Sequence, residues 1–260
     1  MASTEAFESV NLLLRNLPEI EFDIISSQAS FVAYESGQSL LQANDEISSI
    51  LFIERGLVSV VGAAGRGRGM DLSLIGREGV VGSEALLEAG RASQEHHVQL
   101  DAKALRVPLT ALTSEAVPVL RRRLLRYIQT LLVQSYDAAI SSGTSTIEVR
   151  LARWLLMCHD RIDGDEIQMT HIALSKALGE RRAGITVALH MLEGERLIRS
   201  LRERIIIRDR LGLEQAAQGT YGHAEAQYER LLGPMVSPRP PYPTPAERLQ
   251  PARPASLPAH

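Results

Sequence analysis

Residues 170–194 read Thr-His-Ile-Ala-Leu-Ser-Lys-Ala-Leu-Gly-Glu-Arg-Arg-Ala-Gly-Ile-Thr-Val-Ala-Leu-His-Met-Leu-Glu-Gly. No other stretch constrains the fold as much. Thr170 stands at a helix N-cap. Ile172, Leu174 and Leu178 supply the apolar positions of a first short helix, and small Ser175 permits close helix approach. Gly179 provides the positive φ that a tight interhelical turn needs. A second helix follows, with Ile185, Leu189 and Leu192 inward. Two short helices joined by a glycine turn form a helix-turn-helix. Beyond it, Leu197-Ile198 and Ile205-Ile206-Ile207 flank the charged turn Arg199-Ser200-Leu201-Arg202-Glu203-Arg204, which reads as a β-hairpin wing.

In such a motif the start of the second helix enters the major groove of DNA. Here that start presents Arg181 and Arg182, whose planar forks can span guanine O6 and N7. They are the candidates for base contact. Thr170, His171, Thr186 and His190 on the helices, with Arg202 and Arg204 on the hairpin, are the candidates for holding the DNA backbone. The formal net charge is −3, which alone argues against nucleic acid. Its distribution reverses that reading. Residues 170–210 hold nine basic side chains against five acidic ones, so the rest of the chain is acidic. An acidic body with one basic segment suits a protein that meets phosphates with one face.

The 260 residues suffice for one or two domains with real cores. The first 17 residues read as an acidic start followed by a short helix over Glu8–Leu17, with no basic n-region or apolar h-region. No stretch approaches a membrane span. The expected location is cytoplasmic, with no membrane partner. The single cysteine, Cys158, lies in the apolar run Trp154-Leu155-Leu156-Met157-Cys158 and reads as a packing residue.

From Ser30 to Pro108 short β-type segments alternate with glycine turns: Phe31–Tyr34, Ile50–Ile53, Leu57–Val61, Leu72–Ile75, Val98–Leu100 and Ala104–Val107. Such spacing points to a sandwich, barrel or jelly roll. Gly65-Arg66-Gly67-Arg68-Gly69 lacks the phosphate-cradle pattern and reads as a mobile hairpin loop. From Ser114 to Ser141 the chain reads as one long helix, broken by Ser141-Ser142-Gly143-Thr144. Leu120, Leu124, Tyr127, Leu131, Gln134 and Ala138 follow the spacing of a coiled-coil seam and are the candidate dimer interface. A second apolar row, Leu125, Ile128, Leu132 and Ala139, runs beside it. A helix with two apolar faces must be covered on both. The economical solution is its own β domain on one side and an identical helix on the other. Ser145 or Thr146 caps the next helix, which runs to about Arg161. Nine of the twelve prolines lie beyond Gly233, so that tail reads as disordered.

With these residues in view, the chain resembles the Crp/Fnr family of transcription regulators over roughly residues 10–232. Arg150-Leu151-Ala152-Arg153-Trp154-Leu155-Leu156 is similar to the family's helix before the DNA reader, and Thr170 to Ile198 matches the reader without a gap. Gly76-Arg77-Glu78-Gly79-Val80-Val81-Gly82 and Asp209-Arg210-Leu211-Gly212-Leu213-Glu214 resemble a Crp-like subgroup. The resemblance implies an α+β chain: a cyclic-nucleotide-binding-like double-stranded β-helix (jelly-roll) sensor over residues 1–113, a dimerisation helix over 114–142 and a winged helix-turn-helix over 143–218. Residues 219–260 would form a C-terminal extension. It implies double-stranded DNA, a second copy of the chain and RNA polymerase as partners.

The departures from the family pattern are specific. Arg182 occupies the family's main base-reading position, but Ala183 and Val187 stand where a glutamate and a second arginine are typical. Glu180 replaces an apolar turn residue, and Arg202-Glu203 form a wing tip that often has glycine. Cyclic-nucleotide binders carry a Gly-Glu pair and a later arginine. Here Gly82 is followed by Ser83, and the later position falls at Ser93 or Gln94. Gly82, Ser83, Glu84 and Arg91 are the candidate effector pocket, with Glu84 and Arg91 either shifted substitutes or an exposed ion pair. Cyclic AMP is therefore not the expected effector, and the effector is unidentified. No cofactor or metal is expected: the iron–sulfur cysteine set is absent, and His96-His97 point to opposite faces of a strand. The alternative is a signalling subunit that uses the β-roll without DNA, which would need no paired arginines at a helix start. An enzyme is disfavoured, because no nucleophile–base pair, H-E-x-x-H motif or phosphate loop appears.

Overall fold

The computed structural model describes residues 9–64 and 68–235. The proline-rich tail beyond 235 and Gly65–Gly67 of the glycine-arginine loop lie outside the described residues.

The chain is α+β. Its first half is an antiparallel β domain followed by a long helix. Strands β1 (Ser30–Tyr34), β2 (Ser39–Leu41), β3 (Ser49–Ala64), β4 (Arg68–Ile75), β5 (Val80–Val81) and β6 (Glu95–Pro108) form one sheet in the order β1-β6-β3-β4. The strand β2 adds to β6, and β5 adds to β3. Two pairs of expected segments merge into the single long strands β3 and β6. Gly56 is the reason the break before Leu57 does not end a strand. At φ +92° it bends β3 where a Cβ would sit 2.2 Å from the Asp101 carbonyl, and the β3–β6 register shifts around it.

Of the helix expected over Glu8–Leu17, the described residues Ser9–Leu17 form none. Leu12–Asn16 is a turn, and the first helix, α1 (Glu19–Ser26), starts after Pro18. The side chain of Asn11 holds the turn: its amide donates to the carbonyls of Ile53 at 2.8 Å and Gly79 at 2.9 Å, while its oxygen accepts from Leu13 N. These bonds compete with helix formation.

After the short helix α2 (Leu109–Leu112), α3 runs from Pro118 to Thr144. Ser141-Ser142-Gly143-Thr144 does not break it. Thr144 Oγ1 donates back to the Ile140 carbonyl at 2.8 Å, so this hydroxyl is spent within the helix. The faces of α3 are the reverse of the expected ones. Leu120, Leu124, Tyr127, Gln134 and Ala138 are buried within the protein's own fold, and Leu131 is half-buried. Leu120, Leu124 and Tyr127 share a core with Phe52, Leu105 and Tyr228. Gln134 is turned inward because its Oε1 accepts from Leu74 N of β4. The second row faces out: Leu125, Leu132, Tyr136 and Ile140 are exposed, with Ile128 beside them.

The second half holds α4 (Ile147–Arg161), β7 (Glu166–Ile167), α5 (His171–Ala177), α6 (Arg182–Gly194), β8 (Ile198–Leu201), β9 (Arg204–Ile207), α7 (Arg210–Ala216) and α8 (His223–Leu232). A three-stranded sheet, β7-β9-β8, closes it. Its core joins Leu151, Leu155, Ile185, Leu189, Ile205 and Leu213 with Leu57 and Leu74 of the β domain, so the two halves share buried surface. Cys158 is fully buried in this core, and burial pushes its thiol well above the ordinary range. The extra helix α8 returns to pack on α3, with Tyr228 and Met235 in the first core.

Candidate nucleic-acid interface

The pair α5–α6 is built as the sequence dictates. Thr170 caps α5, its hydroxyl accepting from Ala173 N at 3.1 Å. Gly179 takes the left-handed conformation at φ +66° in the turn. The Ser175 hydroxyl donates to the Glu180 carbonyl, which brings the two helices together at a small residue. Ile172 is the exception among the apolar positions: it is 54% exposed and belongs to the outer face. Glu180 has a partner the sequence did not disclose. Arg150 of α4 pairs with it at 2.7 Å and also donates to the Leu178 carbonyl, clamping the interhelical turn from beneath. An acidic turn residue is tolerated because a buried arginine neutralises it.

The helix α6 buries Ile185, Ala188, Leu189 and Leu192 and turns Arg182, Ala183, Val187 and His190 outward. Arg181 is its N-cap and is exposed. Among the described residues, neither Arg181 nor Arg182 is held in an ion pair. The Thr186 hydroxyl donates to the Arg182 carbonyl at 3.0 Å and lies 3.3 Å from His171 Nδ1, so these two candidate backbone contacts are linked to each other. His190 stands exposed one turn further on.

The wing is a β8–β9 hairpin closed by Arg202-Glu203. Glu203 adopts φ +62°, the conformation that explains why glycine suits this tip. Arg202 projects with its side chain 95% exposed, 3.9 Å from Glu203, and Arg204 is shared with Glu166 at 3.3 Å. Arg210, counted in the basic segment, is not available to a phosphate. It pairs with Asp160 at 2.8 Å and Glu214 at 2.9 Å and donates to the Tyr221 hydroxyl.

The turn of the helix-turn-helix leans on the β domain. A Cβ on Gly179 would stand 3.3 Å from Met70 Cβ. A cavity of about 1110 Å³ opens between the halves, bordered by Asp71, His97 and Gln99 on one side and Lys176, Arg181 and Ala183 on the other. Arg182 is not among its walls and faces solvent.

The candidate effector residues do not converge. Gly82 turns the chain at φ +89° and Ser83 is buried. Glu84 faces His96 at 4.0 Å rather than Arg91, whose guanidinium donates to the Asn44 carbonyl at 2.7 Å. His96 is buried and His97 half-buried on the cavity side, as alternation along a strand requires. Burial lowers the His96 pKa against the opposing pull of Glu84.

Residues 149–216 match the Crp-like helix-turn-helix domain. This segment is a Crp-like helix-turn-helix domain. The match takes in α4, the α5–α6 reader, the wing and α7, and stops short of α8. The fold over most of the chain is shared with solved Crp/Fnr regulators. A CRP-family regulator of Thermus thermophilus superposes with a TM-score of 0.60 at 22% identity, covering 72% of this chain and 97% of that one. FixK2 of Bradyrhizobium japonicum superposes at 0.62 with 19% identity, covering 72% and 96%. A putative crp/fnr regulator of Eubacterium rectale gives 0.61 with 18% identity, covering 80% and 98%. Comparison with curated protein sequences finds no match.

Proposed function

We propose that the chain is a transcription regulator that binds near-palindromic double-stranded DNA as a homodimer. The observation that carries this reading is Arg182: it opens the outward face of α6 in a Crp-like domain, exposed and without an ion pair among the described residues. A two-fold dimer presenting two such helices needs half-sites about one helical turn, ~34 Å, apart. The outward row Leu125, Ile128, Leu132 and Tyr136 of α3 supports pairing with a second copy, because a contiguous apolar stripe on a long helix calls for cover. On this reading residues 1–113 form a sensor and 143–218 the DNA reader. The protein works in the cytoplasm, where RNA polymerase is also within reach. Ser83 in place of an acidic ribose contact, and Arg91 turned to Asn44, argue against cyclic AMP as effector.

The test is binding-site selection followed by salt titration. Arg182→Ala should relax preference at one position in each half-site, a bidentate arginine–guanine contact being worth roughly 1–3 kcal/mol of discrimination. Arg202→Ala should weaken all sequences alike and shallow the salt slope by about one unit for each phosphate it no longer neutralises. Arg181→Ala controls for substitution of one arginine by its neighbour. An unchanged motif in both arginine variants of α6 would remove the basis for the assignment.

A further inference from the structure

The middle of the reading face of α6 is apolar. At about 100° per residue, the direction opposite the buried stripe Ile185, Ala188, Leu189 and Leu192 falls on Ala183, Val187 and His190, with Arg182 and Thr186 along one flank. Ala183 is exposed and Val187 is 57% exposed. Both do nothing for the core. The neighbouring Thr186 has no free donor for a base, because its hydroxyl already donates to the Arg182 carbonyl at 3.0 Å and meets His171.

In the major groove thymine alone presents a methyl group, beside its O4 acceptor, whereas the edges of guanine, adenine and cytosine offer a side chain acceptors and donors that it must satisfy or leave stranded. An apolar side chain pressed on one of those edges strands a desolvated polar group, which is unfavourable. On a thymine methyl it buries apolar surface instead. We propose that Ala183 and Val187 read thymine through its C5-methyl group, next to the guanine held by Arg182. This rests on the DNA-binding reading above and specifies its substrate: each half-site carries thymines at the two positions beneath Ala183 and Val187. The two residues lie one turn apart on α6, about 6 Å along its axis, so these thymines fall close together within a half-site.

The test starts from the site enriched by the full-length protein in binding-site selection. Each thymine is then replaced singly by deoxyuridine, which removes the methyl and nothing else. At the positions under Ala183 and Val187 the parent protein should lose about fourfold in affinity per methyl, the worth of one buried CH₂-sized group. In Val187→Ala the penalty at one of these positions should fall towards none while that at the other persists. Ala183→Gly should show the converse, and its helical content is checked by circular dichroism because glycine weakens a helix. Val187→Thr, which keeps the shape of valine, should retain part of the penalty. An enriched motif in which no deoxyuridine matters, or a penalty that survives in both Val187→Ala and Ala183→Gly, overturns the methyl readout while leaving DNA binding intact. A selection that enriches no motif at all overturns the DNA-reading conclusion, and this inference with it.

Discussion

Trp154 of α4 donates its indole N–H to the carboxyl of Asp71 on β4 at 3.2 Å, across the junction between the helix-turn-helix half and the β domain. Gln99 donates to the same carboxyl and to Ser59. Burial nonetheless dominates these bonds and pushes the Asp71 pKa up to about 7. Trp154 is the sole tryptophan of the chain, so its emission reports on this contact. Fluorescence should change with a midpoint near pH 7 in the parent protein and stay flat in Asp71→Asn. Flat emission of the parent between pH 5 and 8 would contradict the assignment.

The same group shapes stability. An unfolded aspartate releases its proton near pH 3.8, whereas the folded one holds it until about pH 7. The folded state binds the extra proton between those values, so the stabilisation is fully present below about pH 4 and is lost as pH rises through 7. The shift corresponds to something on the order of 4 kcal/mol for this buried group. Melting temperatures of parent and Asp71→Asn should therefore diverge progressively across that window, the parent losing ground. Parallel profiles would show that Asp71 does not titrate there.

A second joint lies beside the first. Glu78 and Arg161 pair at 2.8 Å with side chains only 3% and 2% exposed. The Glu78 carboxylate also accepts from Gly76 N at 3.1 Å, and the Tyr228 hydroxyl of α8 donates to the Glu78 carbonyl at 2.9 Å. One loop thus ties α4 and α8 to the β domain. Glu78→Ala leaves a buried guanidinium without its counter-charge and should cost about 3–5 kcal/mol in urea unfolding. Replacing both partners, Glu78→Gln with Arg161→Met, should cost less than the single change. A single change that costs under about 1 kcal/mol would show that the pair is solvated.

These joints show what was legible in the sequence. Gly76-Arg77-Glu78-Gly79 was recognisable as a pattern but not as a joint, because its partners lie far along the chain. A Cβ on Gly76 would meet Arg161 Cβ at 2.9 Å, and one on Gly79 would meet the Tyr127 hydroxyl at 2.0 Å. Glycine and acid are there for tertiary reasons that local spacing does not encode. The helix-turn-helix was legible because its signals are local: the Thr170 cap, the Gly179 turn and the apolar positions within α6. Arg150 clamping Glu180 was missed, since a helix arginine thirty residues upstream carries no local mark. The effector residues fared least well: chain order placed Glu84 and Arg91 within reach of each other, but the fold sends them to different partners.

The faces of α3 give the remaining prediction. Periodicity revealed two apolar rows but not which row meets the β domain, since leucine serves either environment. The polar members decide it. Gln134 is turned inward because it bonds the β4 backbone, and Ser135 faces the same strand, its hydroxyl 2.8 Å from that of Ser73. The outward row is then Leu125, Ile128, Leu132, Tyr136 and Ala139. Replacing Leu125 and Leu132, each 43% exposed, with aspartate should turn a dimer into a folded monomer, because two unpaired charges are then set against an apolar interface. Leu124→Asp should instead destabilise the fold itself, because Leu124 is fully buried in the core with Phe52 and Leu105. Light scattering and thermal melts separate these effects: halved mass with a retained transition for the outer pair, and a lowered or absent transition for Leu124. The monomer should also lose the tight binding that two half-sites confer while keeping weak, salt-sensitive binding to one. An unchanged mass for the Leu125–Leu132 variant would place the interface elsewhere than on α3.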